Sequence, residues 1–211
     1  MNEILEKIAI LFLGWLLGLL APVIVNSIRQ KRENTLGRKA ILSELNDVSG
    51  VLAVATYAVR SKQGTVDRAH LQWLKTTLEK GERDSSYTTW IDRIEIQLSW
   101  TDDNIAEYFQ PLKLEDGKGI LLQKYPVPLL DSRVSALWSF ETSLQRQLLE
   151  IRQLMHRLDS IVDRTYKLHD LSFSNLDELN RAILNENIKD AAAFYAESTQ
   201  HVVDKVTKLL P

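Results

Sequence analysis

The chain has no cysteine, which removes disulfides, thiolate metal sites, cysteine nucleophiles and thiol redox motifs together. Glycine and proline are sparse, 8 and 5 in 211 residues, and this argues against a disordered or fibrous chain. Histidine is scarce too. His70, His156, His169 and His201 lie far apart with no second His at helical spacing, so no zinc signature exists and surface histidines are expected. Glu197 and His201 stand four apart, which is not the Glu-x-x-His spacing of di-iron bundles. Gly117-Lys118-Gly119 lacks the flanking residues of a phosphate-binding loop, and Asp102-Asp103-Asn104 lacks the glutamate that closes an EF-hand. Asp92, Glu95 and Gln97 make only a faint carboxylate set, and no Gly-x-Ser-x-Gly elbow occurs. The expectation is a protein without catalytic residues, metal or cofactor.

What is present begins with a long uncharged run. Ile8 to Ile28 is 21 residues without a charge, and a helix of that length covers roughly 31 Å, the thickness of a hydrocarbon core. A cleaved signal peptide needs a positive start and a shorter apolar stretch, whereas Glu3 and Glu6 here oppose Lys7. A transmembrane helix is the better reading. Only Lys7 precedes it, while Arg29, Lys31, Arg32, Arg38 and Lys39 follow, so the body is expected in the cytoplasm and the N-terminus outside. These five cations are also candidates for contact with anionic lipid headgroups. Residues 1–39 carry 6 basic and 3 acidic residues, and 40–211 carry 20 and 25. An acidic body lacks the footprint that nucleic-acid binding requires.

Within the run, Gly14, Gly18 and Ala21 share one stripe, a small-residue pattern that lets a second helix approach closely and predicts self-association. Pro22 has no N–H for the carbonyl of Gly18, so a hinge is expected there, with Gly37 as a second soft point.

The body reads as helices. Ile41, Leu45, Val48, Leu52, Ala55 and Val59 form an a/d seam on a helix continuing from the span to Gly64. A second helix is predicted from an N-cap at Thr65, with Leu71, Leu74 and Leu78 as its face, to Gly81. Trp90, Ile91, Ile94 and Leu98 favour helix over strand, and Thr101 with Asp102 and Asp103 reads as a further helix start. Pro111, Gly117, Gly119, Pro126 and Pro128 exclude continuous helix over 110–130, where a small hairpin around Glu115-Asp116-Gly117 or a loop insertion is expected. A long helix is predicted from a cap at Asp131 or Ser132 to about His169. A last one follows a cap at Ser174, with Leu176, Leu179, Ile183, Ile188, Ala191, Tyr195, Ser198, Val202 and Val206 as its face. On the long helix Arg146, Arg157 and Arg164 fall on one stripe. They are either a solvated face paired with Glu150, Asp159 and Asp163 or a site for a small anionic ligand.

The fold expected is therefore all-α. A tail (1–7), a transmembrane helix (8–28) and a basic juxtamembrane segment (29–40) precede a cytoplasmic bundle of long antiparallel helices (41–211). Gly14-Trp15-Leu16-Leu17-Gly18-Leu19-Leu20-Ala21-Pro22, the basic stretch and the helical body together resemble the layout of bacterial single-span membrane proteins, some of them effectors of antiviral defence. The likeness lies in architecture and not in a catalytic motif. It implies a self-associating, cytoplasm-facing sensor or effector in the inner membrane, working in defence or stress signalling, with the bilayer, further copies of itself and a protein or small anion as partners. The alternatives are a passive membrane scaffold for a protein complex, and an enzyme with an unrecognised site in 82–130.

Overall fold

The computed structural model describes residues 2–80, 87–113 and 120–210, and the side chains of all of these except 2–10 and 30. The described residues contain helices and no strand. They fall into two units, residues 1–40 and 41–211.

Helix α1 runs from Asn2 to Gln63 with Pro22 inside it. In its first unit every side chain from Leu11 to Arg29 is exposed. This is the one described helix long and apolar enough to cross a membrane. Its end is set by Gly64, whose φ of +68° is open to glycine at little cost. The Thr65 N–H reaches back to the Arg60 carbonyl at 3.0 Å and the Gly64 N–H to that of Ser61 at 3.1 Å, which occupies carbonyls that the helix end leaves bare.

In the second unit the buried stripe of α1 is Ile41, Leu45, Ser49, Leu52, Thr56 and Val59. The expected seam held Val48 and Ala55 in place of Ser49 and Thr56, and both of those are only half-buried. Ser49 and Thr56 enter the core because their hydroxyls donate to the carbonyls of Asn46 and Leu52 on the same helix, leaving no unmet donor.

Helix α2 (Arg68–Glu79) buries Leu71, Leu74 and Leu78 as expected, but its cap is Asp67, whose carboxylate accepts from the His70 N–H at 2.7 Å. The predicted stop at Gly81 lies outside the described residues. Helix α3 (Thr88–Leu98) and helix α4 (Asp102–Phe109) follow, and Thr101 caps α4 by accepting from the Asn104 N–H. Arg68 ties these elements together. Its guanidinium donates to Asp102 Oδ1 at 2.5 Å, to the Leu98 carbonyl at 2.7 Å and to the Trp100 carbonyl.

A 3₁₀ turn over Gln110–Leu112 ends this part of the chain. The centre of the expected hairpin, Glu115-Asp116-Gly117, lies outside the described residues, and its flanks Leu112, Lys113 and Ile120 to Leu122 are not strand. From Ile120 to Val127 the chain is irregular and pinned by two tyrosines. Tyr166 donates to the Leu122 carbonyl and Tyr195 to the Gln123 carbonyl, each at 2.9 Å.

The predicted long helix from Asp131 or Ser132 is interrupted. Helix α5 (Pro128–Ser132) and a 3₁₀ turn (Val134–Ser139) precede helix α6 (Thr142–Ser172), whose N-cap is Glu141 and not the expected Asp131 or Ser132. Proline suits the first position of α5, whose free N–H groups at Leu129 and Leu130 are taken by the Glu44 carboxylate of α1 at 2.7 and 2.9 Å. Helix α7 (Glu178–Leu209) returns against α6 as an antiparallel hairpin. Its cap is Asp177, which accepts from Asn180, while the Ser174 hydroxyl donates backwards to Leu171. The buried face of α7 is Leu184, Ile188, Ala192, Tyr195, Thr199, Val202 and Val206. Leu179 and Ile183, expected in that face, are 72% and 49% exposed. Lys205 latches α7 to Glu150 of α6 at 2.7 Å.

Candidate functional site

Five elements meet around one cavity of about 520 Å³ in the second unit, a cleft beside the C-terminal part of α1. Val54, Ala58 and Lys62 of α1 form one wall of that cleft, Trp90 and Arg93 of α3 and Tyr108 of α4 another, and Leu121, Gln123, Tyr125 and Tyr195 the rest. The volume lies in the range of small-molecule sites, and an aromatic wall with few polar groups is their usual composition.

The rings are ordered by mutual packing. Tyr57 meets Trp90 and Phe109 edge-on at 5.9 and 6.0 Å, and the Arg93 guanidinium lies 5.7 Å from the Trp90 centroid. Gln97 Nε2 donates to the Tyr57 hydroxyl at 2.9 Å. Burial raises the Tyr57 phenol above its ordinary range, so it stays protonated near neutrality. Behind Tyr57, His70 stacks between Tyr57 and Trp73, with centroids at 6.4 and 5.1 Å. His70 is 3% exposed, against the expectation of surface histidines, and neither ring nitrogen has a hydrogen-bond partner. Burial, helped by the charge of Arg60, lowers its pKa to about 4.

The residues singled out from the sequence lie elsewhere. Gly14, Gly18, Ala21 and Pro22 are exposed on α1, and a Cβ built at Gly14 or Gly18 meets nothing within 4 Å. Arg29 donates to Glu33 at 2.8 Å, while Lys31, Arg32, Arg38 and Lys39 are exposed, and Gly37 sits within the same helix. Asp92 and Glu95 do not converge with Gln97. Asp92 is exposed, Glu95 pairs with Lys75 at 2.7 Å, and Gln97 turns into the interior. Of the arginine stripe, Arg157 and Arg164 line one cleft between α6 and α7, and Arg146 does not. Among the described residues, no group of three or more His, Asp or Glu is placed to hold a metal ion.

The aromatic cavity was not foreseen. Its side chains come from α1, α3, α4, the irregular segment and α7, so no local spacing marks them, and each aromatic alone reads as core. The half-buried state of Tyr57, Trp90 and Tyr125 distinguishes them, and that depends on tertiary packing. Compared with protein-family models, with curated proteins and with solved structures, the chain matches none.

Proposed function

We propose that the chain is a single-span membrane protein whose helical unit faces the cytoplasm and acts as a self-associating sensor or effector. The observation that carries this is the first unit of α1: no charge from Ile8 to Ile28, every side chain from Leu11 to Arg29 exposed, and cations following at once. A helix that is apolar all round needs an apolar surround, and each exposed Leu or Phe side chain would gain about 1.5–3 kcal/mol by leaving water. The excess of Lys and Arg after the span supports a cytoplasmic body. The Gly14/Gly18 stripe, open on its own protomer, supports close approach of a second helix.

Sensing rests on the aromatic cavity, one wall of which is the same helix that carries the apolar run. A ligand there contacts α1 directly. Bacterial antiviral defence or stress signalling is the setting suggested by the layout, and binding, not catalysis, is the activity proposed. A second reading is favoured by Phe173 and Leu179, 89% and 72% exposed at the turn between α6 and α7, which suit a scaffold that holds a protein partner.

The test of the membrane reading is topological. In a bacterial host, alkaline phosphatase fused after Pro211 is expected to be inactive and a fluorescent protein at the same place bright. The chain is expected to stay with the membranes through an alkaline carbonate wash. Release by the wash, or strong phosphatase activity, overturns the reading.

A further inference from the structure

The cleft between α6 and α7 is lined by Arg157, Ser160 and Arg164 on one side and by Asn187, Asp190 and Phe194 on the other, and has a volume of about 370 Å³. Of the three intrahelical acids expected to neutralise its arginines, two are committed elsewhere, and Asp159 pairs with neither arginine. Glu150 is held by Lys205 at 2.7 Å and Asp163 by Lys124 at 2.6 Å. Arg157 and Arg164 take part in no hydrogen bond or ion pair among the described residues, and Asp190 in the same cleft pairs with neither. Two guanidinium groups two turns apart, about 10.5 Å along the axis, are thus presented together with their donors unused.

We propose that this cleft binds a nucleotide. Arginine recognises phosphate through paired N–H donors, and two arginines at this spacing can grip a diphosphate from both ends. Phe194, 53% exposed and lining the same cleft, offers a ring face on which a base stacks. The Asn187 amide can pair with a base edge, and the Asp190 carboxylate accepts from sugar hydroxyls, groups that a bare phosphate lacks. The combination of cations, an aromatic face and an acceptor for hydroxyls distinguishes a nucleotide from an inorganic anion. This inference uses residues 157–194 alone and stands whether or not the membrane reading does.

The experiment is calorimetric titration of the full-length chain, in phosphatidylcholine nanodiscs that offer no net-anionic lipid, with ADP and separately with pyrophosphate. ADP is expected to bind. Arg157→Gln and Arg164→Gln are each expected to weaken it about tenfold, and the double variant about a hundredfold. Phe194→Ala is expected to weaken ADP about tenfold while leaving pyrophosphate unchanged. Arg146→Gln, on the same helix outside the cleft, is expected to match the parent. Arg157→Lys with Arg164→Lys keeps the charge and loses the fork, so it is expected to fold with the parent's thermal midpoint and to bind ADP more weakly than the parent. This variant decides the question if the glutamine pair does not fold. No heat with millimolar ADP, or ADP binding unchanged in the double variants, overturns the site. Equal affinity for ADP and pyrophosphate, indifferent to Phe194→Ala, overturns its assignment to a nucleotide.

Discussion

His70 is a titratable side chain placed where its charged form has no partner. Its ring nitrogens are buried and unbonded, Asp67 engages its backbone instead, and Arg60 opposes a second positive charge. The folded pKa of about 4 lies below the ordinary value of 6.5, so the unfolded chain binds the proton first as the solution is acidified. The contribution is complete above pH 6.5 and is lost as pH falls toward 4. Between pH 7 and 5 the loss is about 2 kcal/mol, at about 1.4 kcal/mol per unit. Urea midpoints measured at both values are expected to show this drop for the parent and a much smaller one for His70→Phe. The same residue marks a limit of sequence reading. A lone histidine beside Asp67 and Arg68 looks solvated, and only the stacking of Tyr57 and Trp73 from two helices encloses it. Ser49 and Thr56 were passed over for a related reason, since a hydroxyl that bonds to its own helix becomes apolar to its surroundings.

Among the elements, α5 is held from outside. A helix of five residues cannot supply its own cap, and the Glu44 carboxylate of α1 receives both the Leu129 and Leu130 N–H groups. Glu44→Ala is expected to destabilise the chain by about 1–2 kcal/mol, with Glu44→Gln keeping part of that, as read in chemical unfolding. The helices themselves were largely legible: α2, α3, α4 and the α6–α7 hairpin follow from apolar spacing and capping residues. The start of α6 was not, because Val134 and Leu137 are three apart, a spacing that 3₁₀ and α turns share. On α7, Leu179 and Ile183 fit a helical period but lie on the wrong side of Leu184 and Ile188, a rotation that only the facing helix decides. The first unit offers its own test. A Cβ at Gly14 or Gly18 meets nothing within 4 Å in the chain, so replacing both with Ile tests the proposed self-association through this stripe. The doubly substituted chain is expected to run at lower mass than the parent by light scattering in detergent, and an unchanged mass overturns association through the span.

At the scale of the molecule, the buried core begins at Ile41 and ends at Val206, and both clefts belong to the unit that contains it. The arginine cleft was half legible, because Arg157 and Arg164 share a helical stripe, whereas Asn187, Asp190 and Phe194 come from the returning helix. One of the two tyrosines that pin the irregular segment, Tyr195, also sets a boundary in alkali. Tyr195 is buried, donates to Gln123, and has its pKa raised, first by loss of solvent, so its phenol keeps its proton in the fold. The unfolded chain surrenders that proton near pH 10. Tyr195 therefore leaves stability untouched below pH 10 and erodes it above. With His70 eroding it below pH 6.5, the denaturation temperature is expected to form a plateau with a shoulder at either end. Tyr195→Phe, which has no proton to lose, is expected to flatten the alkaline shoulder alone. In ultraviolet difference spectra, the phenolate absorbance of Tyr195 is expected to rise together with the loss of helical circular dichroism.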